Sequence, residues 1–191
     1  MLCSILLCTR GRPEKLRRCI ESIRKSATSE DYQFIFRVDN DDHKTYFESF
    51  SYLTRRDKLI VGPCLGWSGL KLMLPEMEAI ADGHWMWLMN DDVVVTGDWM
   101  GGLALVPKWG HVVHPEFTQL NESEYRHDNR AGFPMYPKLA WKTLGATSYP
   151  DPFDDTGVRF LWSHGFTTSF LPGVRIWHDR HPDGTLEIAR K

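Results

Sequence analysis

Apolar positions along this chain fall into two patterns. Leu2 to Cys8, apolar except for Ser4, and Trp85 to Met89 are continuous apolar runs. Such runs read as parallel strands covered on both faces. Between them, Leu16, Ile20, Ile23 and Ala27 recur at helical spacing, with basic residues filling the gaps. Gly11 and Pro13 end the first strand, and Pro13 suits a first helical turn. A helix is therefore predicted from Pro13 to Ala27. A second strand, Gln33 to Val38, runs into Asp39-Asn40-Asp41-Asp42, followed by helical or irregular sequence to Arg56. A third, Lys58 to Val61, stops at Gly62-Pro63. Gly66 to Ala81 reads as a loop leading into a helix, with Leu70, Leu74, Met77 and Ile80 on one side. Strands alternating with helices predict an α/β fold with a mostly parallel sheet, right-handed crossovers and helices on both faces.

The pattern changes after Asp92. A strand is predicted at His111 to His114, helices at Tyr136 to Leu144 and Thr156 to Ser163, and a last strand at Thr168 to Ile176. Glu116 to Arg130 is polar and without periodicity, and is expected to be a loop. No repeat, low-complexity segment or linker divides the chain, so residues 1–191 are read as one domain.

Composition adds little to this. The 42% hydrophobic and 25% charged content is ordinary for a globular protein, and the net charge of −2 does not suggest a nucleic-acid binder. Basic residues do crowd the first helix region: Arg10, Arg12, Lys15, Arg17, Arg18, Arg24 and Lys25. They read as a solvated face, with contact to DNA as the rival reading. Cys3, Cys8, Cys19 and Cys64 form no C-x-x-C pair, which points to reduced thiols and away from a structural zinc. The apolar start lacks a basic leader, and no apolar run approaches the ~20 residues of a spanning helix. A cytoplasmic protein without a transmembrane segment is expected.

Three strand ends carry polar clusters: Thr9-Arg10-Gly11-Arg12, Asp39-Asn40-Asp41-Asp42 and Asn90-Asp91-Asp92. A parallel sheet brings all three to one rim, where α/β sheets bind ligands. Any one alone could be a turn or a helix cap. Arg10 and Arg12 can pair with phosphate oxygens beside the start of the first helix. Asp39 can accept hydrogen bonds from a base or ribose. Asp91 and Asp92, adjacent at the mouth of a core strand, repel each other unless a cation intervenes. Their hard oxygens favour Mg²⁺ or Mn²⁺.

The segment from Ser4 to Ile23, containing Cys8-Thr9-Arg10-Gly11-Arg12-Pro13, resembles the opening of family 2 glycosyltransferases, which have the GT-A fold. Trp87-Leu88-Met89-Asn90-Asp91-Asp92 resembles their metal-binding strand. Gly145 to Val158, with Asp154 and Asp155, is similar to their acceptor-side segment. Val174 to Gly184 matches the region where many relatives place a metal-binding histidine. The resemblance covers almost the whole chain and thins between Phe117 and Gly132.

This resemblance implies a metal-dependent, inverting transfer of a sugar from a nucleoside-diphosphate donor, UDP- or GDP-linked, to an acceptor hydroxyl. Residues 1–100 would bind the donor and residues 101–191 the acceptor. Thr9, Arg10, Arg12, Asp39 and Asn90 are expected at the donor. Asp91, Asp92 and His178 are expected at Mn²⁺ or Mg²⁺, with His181 as the rival to His178. Asp155, with Asp154 beside it, is the expected base. One family acid falls on Met89 or Asn90, so either Asp91 reaches the metal or Asp92 substitutes. The expected acceptor is a glycan, a protein or a small molecule, with a modified DNA base as a special case. Trp67, Trp99, Trp109, Trp141, Trp162 and Trp177 are candidates for stacking on a sugar. A nucleotidyltransferase and a non-catalytic carbohydrate- or nucleotide-binding protein are the competing readings.

Overall fold

The structure is a computed structural model. It describes residues 1–66, 69–107, 109–121, 124–127, 133–145 and 155–179, with the backbone alone at 117–121, 124–127, 145, 155, 156 and 179. The first half alternates strands and helices: β1 (Cys3–Thr9), α1 (Pro13–Lys25), β2 (Tyr32–Asp39), α2 (His43–Ser51), β3 (Lys58–Gly62), α3 (Leu70–Ala79) and β4 (Trp85–Met89). These four strands lie in the order β3-β2-β1-β4, all parallel. Their carboxyl ends share one rim, as expected.

Alternation along β1 explains the two layers. Cys3, Ile5 and Leu7 join Leu16, Ile20 and Ile23 of α1 in one core cluster, while Leu6 faces Met73, Leu74 and Met77 of α3 in the other. Side chains two apart share a face, so a largely apolar strand feeds both cores. Helices thus cover both faces. The chain turns one way from β1 and the opposite way into β4, which makes the gap between these strands a topological crossover point.

The second half contains β5 (Val93–Thr96), α4 (Trp99–Leu105), β6 (His111–Asn121), β7 (Glu124–His127), β8 (Met135–Pro137), α5 (Lys138–Gly145), α6 (Asp155–Ser163) and β9 (Thr167–Asp179). The sheet continues as β4-β8-β6-β9-β5, and β7 pairs with β6. Here the pairing is mixed. The β4–β8, β8–β6, β6–β7 and β9–β5 contacts are antiparallel, and only β6–β9 is parallel. The whole sheet is therefore mixed, not mostly parallel.

The expected loop from Glu116 to Arg130 is also corrected. Residues 116–121 extend β6, and β7 folds back on it. Their main partner, β9, lies more than fifty residues away, and a bulge between Pro115 and Glu116 resets the register. A bulge interrupts the alternation that would mark a strand in sequence. Strands β5 and β8 and helix α4 have no counterpart among the predicted elements. Tyr136 ends in β8, not in the helix, which begins at Lys138.

Candidate functional site

The loop of residues 9–12 reaches toward strand ends on both sides. Toward β2, Arg10 Nη1 donates to Asp39 Oδ2 at 2.8 Å, and its other nitrogen donates to Asp41 Oδ2 at 2.9 Å. Toward β4, Arg12 Nη2 lies 2.6 Å from Asp91 Oδ1, and Arg12 Nη1 donates to Asp92 Oδ2 at 2.9 Å. The two arginines, two positions apart in the loop, contact acids on opposite sides of β1.

Asp39 is held from a second direction by Arg37. That arginine sits inside β2 with its side chain wholly buried, 3.2 Å from Asp39 Oδ1. It also donates to the carbonyls of Val38 and Pro63, each at 2.8 Å. Glu76 of α3 lies 3.5 Å from its Nε. A buried guanidinium is tolerated only with such partners. Gly62 is part of the arrangement, because a Cβ there would stand 2.6 Å from Arg37 Nη2.

On the β4 side, Asp91 is completely buried and Asp92 nearly so. Thr9 Oγ1 donates to Asp91 Oδ2 at 2.6 Å. His178 comes from β9, where it is in register with Val93, and its Nε2 lies 3.1 Å from Asp92 Oδ1. The His178 ring also meets Phe133 edge-on, with centroids 5.4 Å apart. Phe133 has φ 53°, the left-handed region that costs a non-glycine residue about 1–3 kcal/mol. Its carbonyl accepts a hydrogen bond from Trp87 Nε1 at 3.0 Å, which ties this turn to β4.

Two oxygens in this group, Asp91 Oδ1 and Asp92 Oδ1, are buried and accept no hydrogen bond. Each nevertheless has a charged or ionisable neighbour, Arg12 Nη2 at 2.6 Å from Asp91 Oδ1 and His178 Nε2 at 3.1 Å from Asp92 Oδ1. Burial pushes the Asp91 carboxyl up to about 6, against the pull of Arg12 and Thr9. Burial also opposes ionisation of Asp92, but the His178 contact and the nearby Arg12 charge outweigh it and hold that carboxyl below its ordinary value. The two acids are thus distinguished by their surroundings.

Among the described residues, no three His, Cys, Asp or Glu side chains gather into a cage for a metal. Small hard cations often need less, because they bind one or two protein groups and complete their shell with water and phosphate. The 3.1 Å between Asp92 Oδ1 and His178 Nε2 suits neighbouring ligands of an octahedral ion, which are about 3.0 Å apart for bonds of about 2.1 Å. The unsatisfied oxygens and this spacing fit a divalent ion.

Met89 belongs to the core cluster under α1, so its thioether is part of the packing. Asn90 is half-buried, and its carbonyl faces the Cys19 thiol at 3.5 Å. Asp155 is the first residue of α6. Asp154, His181 and Trp67 lie outside the described residues. Trp99 and Trp141 are core residues, Trp177 is half-buried, and Trp109 and Trp162 are exposed.

Two of the five basic residues on α1 pair with acids of the same chain. Arg17 pairs with Glu48 at 2.8 Å, and Arg24 bonds the Tyr52 carbonyl at 2.6 Å and faces Asp57 at 3.3 Å.

Arg37, Gly62 and Phe133 escaped sequence reasoning. An arginine between Phe36 and Val38 in an otherwise apolar run was the available signal for the first. No protein-family model matches the chain, and no curated protein matches it.

Proposed function

We propose that the chain is a metal-dependent glycosyltransferase of the GT-A type. It moves a sugar from a UDP- or GDP-linked donor to a hydroxyl of a glycan, protein or small molecule. One observation carries this reading: two buried carboxylate oxygens without hydrogen bonds, Asp91 Oδ1 and Asp92 Oδ1, stand just past the carboxyl end of β4. That end borders the β1/β4 crossover, where open α/β sheets take their ligands.

Asp91, Asp92 and His178 would hold Mn²⁺ or Mg²⁺, which when bound stabilises charge on the diphosphate leaving group. The remaining work falls to the chain's own groups. Arg10 and Arg12 bind phosphate oxygens, and the N-terminus of α1 adds its free N–H groups. Asp39, oriented by Arg37, accepts hydrogen bonds from the nucleoside. Thr9 holds Asp91 in place. Asp155 takes the proton of the acceptor hydroxyl as its oxygen attacks the anomeric carbon, and direct displacement inverts that carbon.

The first test is a thermal-shift screen of nucleotide sugars with Mn²⁺, because a bound donor raises the melting temperature by mass action. The second is donor turnover. Asp91→Ala should abolish it while leaving the circular dichroism spectrum unchanged, and full activity would sink the metal assignment. Asp155→Asn should still bind donor but lose transfer, and unchanged turnover would remove it as the base. The non-catalytic reading is favoured by a separate observation, that Arg12 already spans Asp91 and Asp92 as a built-in cation. Donor binding without any turnover in Mn²⁺ would select it.

A further inference from the structure

Arg12 contacts the same oxygen that a metal ion would need. Its Nη2 is 2.6 Å from Asp91 Oδ1, one of the two buried oxygens without a hydrogen bond. Its Nη1 is 2.9 Å from Asp92 Oδ2. The members of this contact differ in freedom. Asp91 is fixed by Thr9 Oγ1 at 2.6 Å and is wholly buried. The Arg12 side chain is 44% exposed. Arg12 occupies the position before α1, but its side chain makes no capping hydrogen bond there. The arginine can therefore swing away without loss to the helix, whereas the acids cannot move to follow it.

We propose that Arg12 is a displaceable counter-ion that couples the two ligands of this site: a divalent cation takes over Asp91 and Asp92, and the released guanidinium turns to the diphosphate. This rests on the donor-binding reading above and adds a rule for how the site fills. A metal ion arriving alone must compete with a charge already in place and then remain near it. A nucleoside diphosphate arriving alone meets an arginine engaged elsewhere. Together, each ligand takes one side of the broken ion pair, and the guanidinium gains charge-assisted hydrogen bonds to phosphate. Coupling of this kind is reciprocal, so each ligand raises the affinity of the other by the same factor. Arg10 plays no such part, because Asp39 and Asp41 are on the β2 side, away from the cation.

The test is Mn²⁺ binding, followed by the paramagnetic resonance signal of the free ion, with and without UDP or GDP and corrected for the Mn²⁺–nucleotide complex. Wild type should bind Mn²⁺ weakly alone and about tenfold more tightly with the nucleotide, within the roughly 5–150-fold usual for coupled sites. Arg12→Gln should bind Mn²⁺ alone about tenfold more tightly than wild type and lose most of the coupling. Arg12→Lys keeps the charge but gives up the two-pronged contact, and should fall between them. Arg17→Gln makes the same charge change on α1 and should behave as wild type. If neither Arg12 variant binds Mn²⁺ alone more tightly than wild type, while nucleotide-supported binding persists, the coupling role is overturned and the donor reading stands. If no form takes up Mn²⁺ under any condition, both fall together.

Discussion

On the β2 side of the 9–12 loop, both oxygens of Asp39 have partners, Arg37 on one and Arg10 on the other. On the β4 side, Asp91 and Asp92 each keep a buried oxygen that accepts no hydrogen bond. The two clusters use the same residue types, arginine and aspartate, at the strand ends on either side of β1. In the first, both carboxylate oxygens are paired, although Arg37 Nε is buried without a hydrogen bond, and the cluster serves as a brace. The other is held together but unsatisfied, a state that folding tolerates where a ligand is to complete it. Counting charges would not separate them; following each oxygen does.

The comparison can be broken most forcefully at its brace. Arg37→Ala removes a buried cation and leaves Asp39 facing only Arg10. A loss of about 3–5 kcal/mol is expected, read as a lower urea midpoint. A loss below 1 kcal/mol would show that the β2 cluster is not a brace. The next effect is a pH dependence on the β4 side, measured in EDTA. The Asp91 carboxyl is raised by burial from 3.8 to about 6 in the folded chain. Its protonated form is therefore favoured by folding. That contribution is complete below pH 3.8 and is lost as pH rises through about 6. Asp91→Asn should gain on wild type by about 2.4 kcal/mol between pH 4 and 7. A constant difference between the two proteins across that range would refute the assignment. The smallest effect belongs to Asp41, which Arg10 holds below the usual carboxylate range from an exposed position. Asp41→Asn should leave the urea midpoint unchanged, since exposed pairs contribute little. A clear drop would mean that the brace extends outward through Arg10.

Much of the first half was legible in sequence because its signals are local. The apolar runs of β1 and β4 and the helical spacing of Leu16, Ile20 and Ile23 need no distant partner to be recognised. The three polar clusters followed from chain order alone, once parallel strands had been inferred. The second half was less legible. Strands β6 and β9 recognise each other across more than fifty residues, and a bulge shifts their register midway. The polar composition of residues 116–127 suggested a loop, and only pairing turns it into strand. The same limit applies to Phe133, whose left-handed backbone has no signature in its residue type.

For the candidate site, the sequence by itself determined which chemistry stands at the rim: two arginines, a threonine, and aspartates at two further strand ends. Strand polarity and residue identity are enough for that. Only the tertiary structure decided the partners. It directed Arg10 to Asp39 and Asp41, and Arg12 to Asp91 and Asp92. It buried Arg37 behind Asp39, placed Met89 in the core, and carried His178 to Asp92 along β9. The physical reason is range. Side-chain periodicity is set within a few residues, whereas burial, ion pairing and the pull on a carboxyl's proton depend on groups brought together from distant parts of the chain.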